Sequence, residues 1–162
     1  LEFRATEQRP GGATSTDAVT VSVVDDRAPM VKLSASPNRL VSNNKKYQRI
    51  EVRGGAVDAC TLLAPNQTAG GYVESSDPDD APGAQDGSTT GDIRVVHVHD
   101  GNREELSSSS HRRVEFHIGD RLEVRAERFG SNPRFYTITY TASDAGGTAT
   151  GTETIRVGPN ND

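Results

Sequence analysis

Apolar and polar residues alternate along much of this chain with a period of two, the pattern of β-strands that bury one face. No stretch of a dozen residues has the spacing of an amphipathic helix. Gly, Pro, Asn and Asp clusters separate the alternating runs, as expected where strands end. The pattern predicts strands at residues 19–24, 30–36, 47–53, 93–99, 113–118, 121–127, 136–143 and 153–157.

These strands predict an all-β fold. In the last hairpin Tyr136, Ile138 and Tyr140 share one face, threonines occupy the other, and residues 143–147 (SDAGG) supply the turn. Several short antiparallel strands cannot bury their apolar faces in one open sheet. We therefore predict that two sheets pack face to face as an antiparallel β-sandwich.

An internal repeat relates the start of the chain to its end. Residues 3–24 (FRATEQRPGGATSTDAVTVSVV) follow the order of residue types in residues 135–157 (FYTITYTASDAGGTATGTETIRV). We predict that residues 1–28 are the closing hairpin of a preceding repeat, or a donated strand, plus a linker. Residues 29–162 are predicted to form one sandwich module.

A hairpin by itself leaves unpaired strand edges and an unburied apolar face, so this one is expected to dock. The expected assembly strand carries Val19, Val21 and Val23. These side chains would enter the core of a neighbouring repeat or of another copy of the chain, or pack against their own domain. Head-to-tail pairing between copies would give a filament.

Residues 57–92 are rich in Gly, Pro, Asp and Ser and are predicted to form a long irregular insertion. Carboxylates in this segment and in the linker are candidate ligands for calcium, which prefers several oxygen donors; a solvated acidic loop is the alternative. Tyr72 in the same segment could stack on a sugar. The candidate calcium ligands are Asp25, Asp26, Glu74, Asp77, Asp79, Asp80, Asp86 and Asp92.

His97 and His99 lie two residues apart on a predicted strand and should point to the same side, where His117 could approach from a neighbouring strand. That geometry could hold zinc, although no fourth ligand is evident and exposed strand histidines are common. The chain has no Gly-x-Ser-x-Gly motif, and its serine run at residues 107–110 is a polar segment. We predict that the chain is not an enzyme.

Composition narrows the range of partners. Only 32% of the 162 residues are hydrophobic, which fits a thin two-layer core, and the single cysteine cannot form an internal disulfide. The net charge is -5 and the basic residues are scattered, so nucleic acid is not expected as a partner. No apolar run approaches the roughly 20 residues that a membrane-spanning helix needs. The high content of Gly, Ser, Thr, Asn and Asp suggests a secreted or cell-surface protein.

Three segments carry a family resemblance: SASPNRL (34–40), RAERFGSNPRFYTITYTASDAGG (125–147) and VSVVDDRAP (21–29). They resemble the immunoglobulin-like, HYR- or cadherin-like repeats that occur in tandem in large secreted bacterial proteins. The junction DDRAP is similar to an acidic cadherin-type linker but lacks the Asn residues of the fuller pattern. The resemblance implies an immunoglobulin-like sandwich that acts as a non-catalytic spacer or adhesive unit. The alternative is a calcium- or polysaccharide-binding accessory module of a secreted hydrolase.

Overall fold

The computed structural model describes residues 2–12, 14–42, 46–58, 68–76, 91–99, 102–107, 113–128 and 132–158. These residues form twelve strands and contain no helix, so none of them lies in a helix long and apolar enough to cross a membrane. The strands are β1 (Glu2–Gln8), β2 (Thr14–Thr20), β3 (Met30–Ser36), β4 (Arg39–Val41), β5 (Tyr47–Val57), β6 (Thr68–Ser75), β7 (Ile93–His99), β8 (Asn102–Ser107), β9 (Arg113–Phe116), β10 (Arg121–Arg125), β11 (Arg134–Asp144) and β12 (Gly147–Gly158).

Ten of these strands form two five-stranded sheets in a sandwich-like arrangement, which confirms the all-β prediction. The first sheet has the order β3-β5-β10-β7-β8, and the second has the order β4-β12-β11-β6-β9. Neighbouring strands run antiparallel, with one exception among the described pairs: β4 lies parallel to the end of β12, with Leu40 opposite Val157. The hairpin β1–β2 forms a separate two-stranded sheet.

The core lies between the two sheets and draws alternate side chains from each. Tyr136, Ile138 and Tyr140 of β11 are buried, which confirms the predicted inner face of that strand. Each large aliphatic side chain that is fully buried contributes about 1.5–3 kcal/mol relative to exposure. The other large core residues are Leu40, Ile50, Val73, Ile93, Val95, Val114, Phe116, Leu122, Val124, Ile155 and Val157.

Residues 68–75 lie within the segment predicted to be irregular, but they form strand β6. The prediction of an irregular insertion was therefore wrong for these residues. Strand β6 pairs with β11 on one side and with β9 on the other, and its Val73 is fully buried. Gly70 and Gly71 obscured the alternation in the sequence. Gly71 fits here because a Cβ at this position would lie 2.5 Å from Cε1 of Phe116. Residues 59–67 and 77–90 lie outside the described residues.

The hairpin β1–β2 is exposed along both strands. Strand β2 ends at Thr20, so the predicted strand at residues 19–24 begins and ends too late. The hairpin shares a detail with β11–β12: Thr6, which matches Ser143 in the repeat, likewise lies opposite a threonine of the next strand. The hydroxyls of Thr6 and Thr16 lie 3.4 Å apart, and those of Ser143 and Thr148 lie 2.8 Å apart.

Candidate functional site

The linker that follows the hairpin lies directly on the turn between β11 and β12. A Cβ added to Gly146 would lie 2.1 Å from the carbonyl oxygen of Arg27, so the linker backbone occupies the space of a side chain there. Gly147 has φ +144, a conformation that favours glycine, and its added Cβ would lie 3.1 Å from Cβ of Ala28. The Gly-Gly pair of the repeat therefore permits the linker to dock.

Three carboxylates meet at this junction. Asp25 comes from the linker, Asp58 follows β5, and Asp144 ends β11; one ligand atom from each lies within 4.8 Å of the other two. Oδ1 of Asp144 accepts hydrogen bonds from the backbone N–H groups of Gly146 and Gly147 at 2.9 and 3.1 Å. Oδ1 of Asp25 accepts one from Arg27 at 3.3 Å. We refer to Asp25, Asp58 and Asp144 as the linker triad.

The second carboxylate oxygens of Asp25 and Asp144 are buried and accept no hydrogen bond. A buried carboxylate oxygen without a partner is costly, and like charges a few ångströms apart add repulsion. A hard cation bound among these oxygens would remove both costs, since calcium takes carboxylate ligands in flexible geometries. The linker triad is thus a chemically suitable calcium site.

The predicted calcium ligands are distributed over several places. Asp25 belongs to the linker triad, whereas its neighbour Asp26 is exposed and Glu74 is exposed on β6. The structure adds two residues that the sequence did not suggest. The internal repeat could have pointed to Asp144, because this residue is the acid of the repeated turn. No sequence pattern pointed to Asp58. Four candidates lie outside the described residues: Asp77, Asp79, Asp80 and Asp86.

Asp92 lies in a buried charged network instead of on a loop surface. Its carboxylate pairs with the guanidinium of Arg134, and Nε of Arg125 lies 3.6 Å from it. Arg134 also donates to the hydroxyl of Ser75 at 2.9 Å and lies 3.6 Å from the carboxylate of Glu127. Because two arginines neutralise Asp92, its role in the structure is the pairing of buried charges at one end of the sandwich.

Tyr136 borders the same network and donates a hydrogen bond from its hydroxyl to the carbonyl of Arg125 at 2.8 Å. Burial raises the pKa of Tyr136 well above its ordinary value, and the nearby acids Asp92 and Glu127 act in the same direction, against Arg134 and Arg125. The hydroxyl therefore stays neutral in the folded protein at pH values where it ionises in the unfolded chain.

This shift predicts a pH dependence of stability. Burial of neutral Tyr136 makes its full contribution to the free energy of unfolding below about pH 10. As the pH rises above that value, this contribution falls by up to about 1.4 kcal/mol per pH unit. Tyr136→Phe removes this titration, at a cost near neutral pH of about 1 kcal/mol for the lost hydrogen bond. Urea unfolding at pH 8 and pH 11 should show a smaller loss of stability for Tyr136→Phe than for the wild type. Equal losses would contradict the assignment.

Tyr72, the predicted ligand contact, lines a shallow cleft with Gly71, Phe116 and His117. The guanidinium of Arg113 lies 3.2 Å from the centre of the Tyr72 ring. One face of the ring is therefore occupied by a cation–π contact. A sugar could stack only on the other face or after Arg113 moves, and polysaccharide binding stays a prediction.

His97 and His117 do come together, as the zinc hypothesis required, with ring centroids 5.4 Å apart. Their third neighbour is Asp120, which the sequence did not suggest. The side chain of His99 lies outside the described residues, as do Cys60 and the serines at 108–110.

Comparison with known proteins gives no match to a family model, a curated protein or a solved structure. The resemblance to immunoglobulin-like and cadherin-like repeats stays a prediction.

Proposed function

We propose that this chain is a non-catalytic structural module of a secreted or cell-surface protein, joined to a neighbouring module or subunit through the β1–β2 hairpin. The observation that carries the proposal is an exposed apolar pair on one face of that hairpin, at the end away from its turn. Phe3 and Val19 lie opposite each other in the register and are 56% and 60% exposed. Beyond β2, Val21 and Val23 are exposed as well.

The internal repeat indicates what should cover this face. Aligning Ala5 with Ala142 places Phe3 at the position of Tyr140, which is buried in the sandwich. The same repeat matches Val21 and Val23 with Ile155 and Val157, both fully buried. In β11–β12 the residues at these positions belong to the core. The expected occupant is therefore the core or sheet edge of another sandwich of this fold, in a neighbouring module or in another copy of the chain.

In such an interface, backbone hydrogen bonds would stabilise the contact in addition to the burial of side chains. The outer edges of β1 and β2 can pair with strands of a partner sheet, and each ladder satisfies a row of N–H and C=O groups at once. The direction of the strands fixes the orientation of the partner. Repeated between copies, this heterologous contact would extend into a filament, because it need not close on itself.

The linker triad extends the proposal to calcium. The linker contributes Asp25, and the body contributes Asp58 and Asp144, so a bound calcium ion would tie the hairpin to the module. Extracellular calcium modules commonly bind with dissociation constants of about 10⁻⁴–10⁻³ M, within reach of a site with three carboxylates. Bound calcium would fix the orientation of the hairpin relative to the module, and removal of calcium would allow that orientation to vary.

The assembly proposal is tested with a pair of variants on opposite faces of the hairpin. Val19→Lys puts a charge on the apolar face beside Phe3, whereas Thr16→Lys puts the same charge on the opposite face beside Thr6. Light scattering and negative-stain microscopy should show oligomers or filaments for the wild type and for Thr16→Lys. Val19→Lys, and a chain without residues 1–27, should stay monomeric.

A wild-type chain that is monomeric at all concentrations, with and without calcium, would contradict assembly between copies. Oligomers that survive in Val19→Lys would place the contact elsewhere on the molecule.

A further inference from the structure

We propose that His97, His117 and Asp120 form a binding site for a divalent transition metal, with zinc as the expected ion. One ligand atom from each residue lies within 4.8 Å of the other two. Two imidazoles and one carboxylate are a common donor set for zinc in proteins, with water in the fourth position. The site is separate from the linker triad and does not depend on the proposed function.

The three residues come from different parts of the sandwich. His97 lies on β7 of the first sheet, His117 follows β9 of the second sheet, and Asp120 precedes β10 of the first sheet. A metal at this point would therefore connect the two sheets at the place where the chain crosses between them. It would add a cross-link to a thin core.

A tight turn holds Asp120 in place. The N–H of Asp120 donates to the carbonyl of His117 at 3.0 Å, and the N–H of His117 donates to Oδ2 of Asp120 at 2.6 Å. Gly119 has φ +104, which suits the turn. These bonds position the carboxylate before any ion binds, and a hydrogen bond to a ligating carboxylate is typical of metal sites.

The two distances lie on either side of the value that zinc requires. Nδ1 of His97 lies 2.5 Å from Oδ2 of Asp120, and Nδ1 of His117 lies 3.7 Å from the same oxygen. Ligands on a tetrahedral zinc ion with bonds of about 2.0–2.1 Å are separated by about 3.3–3.4 Å. Zinc binding would therefore replace the direct His97–Asp120 contact, lengthening it by roughly 0.8–0.9 Å, and would shorten the His117–Asp120 distance by roughly 0.3–0.4 Å.

Burial also suits a metal that enters from solvent. The side chains of His97 and Asp120 are 12% and 5% exposed, whereas that of His117 is 61% exposed. The exposed imidazole of His117 places one side of the site at the protein surface. Imidazole nitrogen selects zinc over calcium, which prefers oxygen ligands.

The test uses cobalt(II) as a spectroscopic substitute for zinc, with the full chain free of any histidine tag. Wild-type protein should bind one equivalent of Co²⁺ with the visible absorption of a four-coordinate site, and Zn²⁺ should displace it. His117→Gln should lose that absorption and bind at least about tenfold more weakly, since one of three ligands is gone. Glu115→Gln is the matched control, because Glu115 is exposed on β9 two positions before His117, is not among the three ligands and should leave binding unchanged.

Thermal unfolding gives a second measurement. Zinc should raise the melting temperature of the wild type and of Glu115→Gln, but not that of His117→Gln. The exposed position of His117 means that its replacement should leave the apo protein folded. No stoichiometric Co²⁺ binding by the wild type would overturn the proposal, as would binding by His117→Gln with wild-type affinity.

Discussion

Replacing Arg134 with methionine should lower the free energy of unfolding by about 3–5 kcal/mol, because it removes the cation that pairs directly with the buried carboxylate of Asp92. Arg134 is almost fully buried; it pairs with Asp92, lies near Glu127 and donates to Ser75. Methionine retains much of the aliphatic part of the arginine side chain but none of its hydrogen-bond donors. Urea unfolding at pH 7, followed by circular dichroism, measures the change.

Arg4→Met is the matched control for this experiment. Arg4 also forms an ion pair, with Glu2 at 2.8 Å, but both side chains are largely exposed. Exposed pairs contribute little, so we expect a change of about 0.5 kcal/mol or less. Equal effects of Arg134→Met and Arg4→Met would contradict the interpretation of the network as buried and mutually compensated.

Calcium should stabilise the chain by about 2.7 kcal/mol when the free ion exceeds its dissociation constant a hundredfold, provided that it binds only the folded protein. Asp25→Asn should abolish this gain, because it removes one carboxylate of the linker triad. It should also stabilise the calcium-free protein slightly, since it relieves repulsion with Asp58 and Asp144. Isothermal titration calorimetry and thermal unfolding in calcium and in EDTA measure these effects.

Asp26→Asn is the control, since it removes the same charge one residue away at an exposed position outside the triad. It should retain the calcium response of the wild type. If Asp25→Asn and Asp26→Asn respond to calcium alike, the effect comes from general charge screening and the triad does not bind the ion.

The alternation of residue types predicted the strands best where both faces are distinct. Residues 30–36 and 93–99 were predicted with the bounds that β3 and β7 have in the structure. In β11 the tyrosines and isoleucine face the core because their spacing of two matches the pleat. In these segments the local sequence pattern was sufficient to predict the strand, since alternation along that one strand decides which side chains are buried.

The remaining elements depend on partners that the local sequence does not reveal. Strand β4 has three residues, too few for a periodic signal, and β6 contains two glycines beside its buried valine. The candidate sites depend on contacts between distant positions: Asp58 meets Asp25 and Asp144 only after the linker docks on Gly146. Asp92 was expected on an acidic loop, and only the fold brings it to Arg134.

The parallel pairing of β4 with β12 bears on how a chain of linked modules would carry tension. Pulling on the start of β4 and on the end of β12 acts along the two strands, so their shared hydrogen bonds resist together. These bonds include Arg156 to Asn38 at 2.9 Å and Ser42 to Gly158 at 2.8 Å. Forced unfolding depends on the rate of crossing the unfolding barrier. In this geometry the three-residue strand β4 at the sheet edge would resist such tension in shear.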